Sequence, residues 1–226
     1  MEGGHNVGKY PLVPQCRLPG FPLPTVSSPV RLGFAASRAG QYPPPMQLFF
    51  STPEEIEAFR STLSFCRCPF CGLVGALIRH GFTYWSHSPK ENGIRGWRVR
   101  CNPTDHHSGC GATWLLRRGD TLPRRCFSAK DLWTFIQAIL DSRSLRNAWE
   151  RSRFPCSLDT AYKVYRRLVR CQSLLRTRLS DRGPPPKIKT GVPLFQMFAH
   201  LKEEFGNVSP VRGYQESFQR DFLATA

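Results

Sequence analysis

The sequence predicts an α+β chain in which an unstructured arm precedes a small three-stranded hairpin module, and three helices follow. Three observations carry this reading. Five of the nine cysteines fall between Cys66 and Cys110. The apolar pattern changes from alternating to helical near residue 128. Nine prolines and one acid, Glu2, occupy residues 1–45.

Residues 1–45 bury too little apolar surface to offset the entropy of ordering them, so they read as a disordered arm. At Met46 the character changes, and folded structure, or translation itself, is expected to begin there. Residues 46–65 read as a short helix leading into the next module, with Thr52 as N-cap and Pro53 at the first helical position. Across 66–127, Leu77-Ile-Arg-His, Gly96-Trp-Arg-Val-Arg and Ala112-Thr-Trp-Leu-Leu alternate as three half-buried strands.

Cys68-Pro-Phe-Cys71-Gly72 is a tight turn in which proline sets the bend and glycine takes a left-handed backbone, aiming N–H groups at sulfur. Cys101 and Cys110-Gly111 repeat its two ends with about six residues inserted between them. Two such pairs brought together across a hairpin make a closed tetrahedral Zn2+ site of structural type, held by Cys68, Cys71, Cys101 and Cys110. Because of the insertion, His106, His107 or Cys66 stands as an alternative ligand. Cys68 and Cys71 also fit a redox motif, but no βαβ context follows them. Cys16, Cys126, Cys156 and Cys171 read as small apolar side chains.

Residues 128–182 carry three helices. Ser128 to Asp131 has the form of a capping box, ahead of a stripe of Leu132, Phe135, Ile136, Ile139 and Leu140. Ser144 caps a short second helix, which Phe154-Pro155 ends. Ser157 starts a third, running to about Leu179. Its apolar face is Ala161, Val164, Tyr165, Leu168, Gln172, Leu175 and Leu179. Lys163, Arg166, Arg167 and Arg170 lie opposite, and Tyr162 flanks the stripe. A short helix, a turn and a longer basic helix make a helix-turn-helix pattern, here with a turn of about five residues that lacks the customary glycine. Residues 183–226 read as a Pro-rich linker and one C-terminal docking helix.

The formal charge of +16 points to a polyanionic partner, and double-stranded DNA fits it. Seven of those charges, net, lie in residues 128–186. Arg95, Arg98 and Arg100 on the second strand are expected to meet the DNA backbone, and the third helix the groove. No apolar run is long enough to span a membrane and no leader precedes a cleavage site, so the chain is expected in the cytoplasm, associated with the nucleoid. Its length excludes a large multidomain enzyme.

The series Cys68-Pro-Phe-Cys-Gly, Leu77-Ile-Arg-His-Gly, Arg95 to Cys101, Gly109 to Trp114 and Ser144 to Trp149 resembles transposase-type proteins of bacterial insertion sequences. In these a zinc ribbon precedes a helix-turn-helix, and the likeness covers residues 66–180. It implies that Cys68, Cys71, Cys101 and Cys110 are the ribbon ligands and that the helix after Ser157 reads DNA. Those transposases continue into an RNase H-like domain of on the order of 100 residues. Only 45 residues follow Asp181 here. The expectation is therefore a zinc-dependent, non-catalytic DNA-binding accessory or regulator, working beside a separate transposase. Alternatives are an RNA- or protein-binding ribbon and a decayed transposase fragment.

Overall fold

The computed structural model describes residues 46–84, 93–104, 107–142, 144–188, 191–206 and 209–224. The expected disordered arm, like Asp105 and His106, lies outside them. The architecture is mixed α+β, a four-stranded sheet with six helices.

The first difference from the expectation comes at Met46. Met46–Phe50 is a strand, β1, followed by the expected helix α1, Pro53–Ser61. Thr52 caps α1, its hydroxyl accepting the Glu55 N–H at 3.2 Å. Three strands appear where alternation placed them: β2 (Leu77–Tyr84), β3 (Ile94–Cys101) and β6 (Thr113–Arg118). The two-residue strands β4 (Pro103–Thr104) and β5 (His107–Ser108) form a small hairpin of their own. The sheet order is β1-β6-β3-β2, with β1 parallel to β6 and the other pairs antiparallel. A parallel partner 68 residues further along the chain leaves no local turn signal, which is why the sequence predicts three strands and the sheet has four. One face of the sheet, with Leu48, Phe50, Val99, Trp114 and Leu116, packs on Ile56 of α1.

The helical half follows the expected boundaries. α2 is Ala129–Asp141, and both hydrogen bonds of its capping box are present between Ser128 and Asp131. α3 is Leu145–Ser152 and α4 is Leu158–Ser180, capped by Ser144 and Ser157. In place of a glycine, Arg153 takes the left-handed conformation that ends α3, at φ 49°. α5, Pro193–Phe205, docks through Leu194, Met197, Phe198 and Leu201 on the core beside α4.

A second C-terminal helix, α6 (Pro210–Phe218), was not expected. It joins the two halves through polar side chains. Gln219, just past its end, accepts the Phe49 N–H at 2.7 Å and donates to the Phe49 carbonyl at 2.8 Å. Its amide thereby completes the open edge of β1, which would otherwise offer unpaired backbone groups. Gln215 is fully buried and donates to the carbonyls of Gly119 and Thr121 while accepting the Phe222 N–H.

Candidate metal centre

Four sulfurs converge where the two cysteine turns meet. Those of Cys68, Cys71, Cys101 and Cys110 all lie within 4.8 Å of one another. Cys68 and Cys110 are 3.7 Å apart, and Cys71 and Cys101 are 3.6 Å apart. A tetrahedron with metal–sulfur bonds of ~2.3 Å has edges of ~3.8 Å, so the spacing fits a single ion at the centre.

The backbone explains the convergence. The Cys68 N–H donates to the Leu73 carbonyl at 2.8 Å, and the Cys101 N–H to the Ala112 carbonyl at 2.9 Å. Gly72 and Gly111, each following the second cysteine of its turn, have φ of +74° and +71°. These left-handed positions suit glycine, and they close both turns in the same way. The two turns thus close alike, and within the insertion of the second, β4 pairs with β5, Pro103 opposite Ser108 and Thr104 opposite His107. In the first turn the Cys71 N–H reaches the Cys68 sulfur at 3.5 Å.

Sulfurs this close resist ionising together, because like charges repel. Burial pushes the Cys101 thiol up to about 12, the neighbouring Cys71 and Cys68 thiols adding to it. Burial also raises Cys68. At Cys71 burial acts upward too, but hydrogen bonds from the Leu73 backbone and from Cys68 and Cys101 bring it down to about 7. A divalent cation removes the conflict by holding all four as thiolates. The cluster leaves out Cys66, the one alternative whose side chain is described, which is buried in the apolar core beside Thr62. His106 is outside the described residues, and His107 is described in its backbone alone.

The basic residues are not brought to one surface. On α4, Lys163, Arg166 and Arg170 are exposed while Ala161, Val164, Leu168, Cys171, Leu175 and Leu179 are buried behind them. Lys163 pairs with Asp159 at 2.6 Å. Arg167 turns away from the other three and donates its Nε to the Leu223 carbonyl at 2.7 Å. Tyr162 is 41% exposed, on the flank of the basic face. On β3, Arg98 is exposed and Arg100 half-buried, whereas Arg95 points inward and donates to the Leu122 carbonyl.

Two features escaped sequence reasoning. Cys126 and Cys156, expected to be apolar bystanders, lie with their sulfurs 3.3 Å apart. Their separation of thirty residues carries no motif spacing. Phe82 and Tyr84 on the edge strand β2 are 40% and 45% exposed with ring centroids 6.3 Å apart. Their i, i+2 spacing was the available signal, since alternate residues share one face of a strand.

Comparison with protein-family models, curated proteins and solved structures finds no match to this chain. None of the helices among the described residues is long and apolar enough to cross a membrane.

Proposed function

We propose that the chain is a zinc-dependent, non-catalytic protein that binds double-stranded DNA, in the manner of the transposase-associated proteins its motifs resemble. Four thiolates at tetrahedral spacing suit Zn2+, and a ligand set closed by protein leaves no open position for chemistry, so the metal acts as a staple. The observation that carries DNA binding is the exposed row of Lys163, Arg166 and Arg170 on a helix of 23 residues whose other face is buried. α3, the turn at Arg153 and α4 have the order of a looser helix-turn-helix, with α4 as the groove-facing member. Arg98 and Arg100 supply backbone contacts from the ribbon. Arg95 and Arg167 belong to the fold.

Three phosphate contacts from α4 contribute about −2.7 to the slope of log K against log salt. The variant carrying Arg166→Ala and Arg170→Ala is expected to flatten the slope by about 1.8. Arg167→Ala should leave the slope unchanged and instead reduce stability by about 1.5–3 kcal/mol, the worth of a hydrogen bond from a charged donor. Filter-binding titrations between low and moderate salt read the first effect, and urea melts the second. A slope indifferent to Arg166 and Arg170 removes α4 as the contact surface.

Exposed Phe82 and Tyr84 favour a second reading, a ribbon that stacks unpaired bases. Trp114 does not contribute to it, being 3% exposed and packed on Phe70. Competition between duplex DNA and single-stranded RNA separates the two readings. Preference for the single strand, lost in Phe82→Ala, would replace the first with the second.

A further inference from the structure

We propose that Cys126 and Cys156 form a dithiol–disulfide site, a point of reversible covalent modification separate from the four-cysteine cluster. Their sulfurs are 3.3 Å apart. A disulfide needs ~2.0 Å, which small side-chain rotations at an exposed loop position can supply.

The approach is built into the fold. Cys126 lies in the connection from β6 to α2, and Cys156 immediately precedes Ser157, the cap of α4. The neighbouring rings of Phe127 and Phe154 are buried against each other with centroids 4.7 Å apart, so they hold the two segments side by side. The Trp149 indole N–H donates to the Cys156 carbonyl at 2.7 Å and fixes the backbone of the second segment. Among the described residues no third metal-ligating side chain joins this pair, in contrast to the ribbon cluster. Two thiols without further ligands suit exchange chemistry better than a metal ion.

The two cysteines differ in the way exchange requires. Cys126 is exposed and Cys156 half-buried. Burial, reinforced by the Cys126 sulfur, pushes the Cys156 thiol up to about 12, so Cys156 keeps its proton until it resolves the bond. Cys126 is the solvent-open member of the pair, where a small disulfide can reach its sulfur. Cys126 is the attacking sulfur. Its thiolate attacks a low-molecular-weight disulfide such as oxidised glutathione, forming a mixed disulfide and releasing one small thiolate. Cys156 then loses its proton and displaces the second small thiol, leaving the Cys126–Cys156 disulfide. The protein gives up two electrons and two protons, and the small disulfide becomes two thiols. The new bond ties the start of α4 to the connection between the two halves of the molecule.

The test equilibrates the full chain with glutathione redox buffers in the presence of zinc, traps free thiols by alkylation, and maps tryptic peptides. The expected product links Cys126-Phe-Ser-Ala-Lys130 to Phe154-Pro-Cys-Ser-Leu-Asp-Thr-Ala-Tyr-Lys163, with the melting temperature raised by several degrees over the reduced protein. In Cys126→Ser and Cys156→Ser the linked peptide and the rise in melting temperature should both be absent. In Cys156→Ser, glutathione should accumulate on Cys126. Wild-type protein that ends with mixed disulfides and no linked peptide, or with both thiols reduced at every buffer ratio, overturns the proposal.

Discussion

Asp221 shows how a single residue sets a pH dependence. Its carboxyl is held above the ordinary range because burial outweighs the hydrogen bond from the Leu223 N–H and the attraction of Arg125, Arg167 and Arg117. A carboxyl whose value rises on folding stabilises the fold fully below its unfolded value of ~3.9, and that contribution disappears as pH climbs through the folded value. Wild-type protein should therefore lose stability relative to Asp221→Asn as pH rises from ~3 toward neutrality. Urea midpoints of the two proteins measured across that range provide the check. Parallel curves would mean that Asp221 titrates as if unfolded. Arg95 and Arg167 make a related point at this scale. Sequence alone assigns both to a DNA-facing surface, because a charge on a helix face or a strand reads as solvated. Each is instead spent on a backbone carbonyl, Leu122 or Leu223, from a segment distant in sequence.

At the scale of elements, caps were legible and distant pairings were not. Thr52, Ser128, Ser144 and Ser157 all cap the helices that their positions announce. Each signal is local, a hydroxyl three residues ahead of the N–H that it satisfies. The turn between α3 and α4 lacks glycine yet adopts the conformation that glycine favours, at Arg153. A left-handed backbone costs a non-glycine residue roughly 1–2 kcal/mol, part of which glycine returns as lost chain entropy. Arg153→Gly is expected to stabilise the protein by about 0.5–1 kcal/mol in urea melts. A destabilised variant would show that the Arg153 side chain, rather than its backbone, secures the turn. β1 and α6 escaped detection for different reasons. β1 pairs with a strand more than sixty residues later in the chain, and α6 is a helix of nine residues whose few apolar positions, Val211, Tyr214 and Phe218, make a short stripe that is easily passed over.

The whole molecule has two cores. One lies between the sheet and α1, and includes Cys68 and Cys101; the other gathers α2 to α6. A small sheet module with one short helix buries little on its own, and a structural zinc supplies on the order of 10 kcal/mol to such a fold. Chelation is expected to expose Trp114 and shift tryptophan emission to longer wavelength. The helical circular dichroism of α2, α4 and α5 should persist, because their core contains no ligand. Loss of both signals together would show that the polar clasp through α6 makes the halves one cooperative unit.

The sequence by itself singled out the four cysteines whose sulfurs converge, the helices of residues 128–182 and where the positive charge accumulates. Motif spacing, caps and periodicity depend on neighbours within a few residues, so they survive translation into a one-dimensional code. Tertiary structure alone decided that Cys110 meets Cys68 despite the six-residue insertion, within which β4 pairs with β5. It also decided that two of the expected DNA-facing arginines brace the fold, and that Cys126 meets Cys156. Those outcomes depend on which segments come together in space, and that is settled by burial of the two cores and satisfaction of their backbone groups rather than by any local pattern.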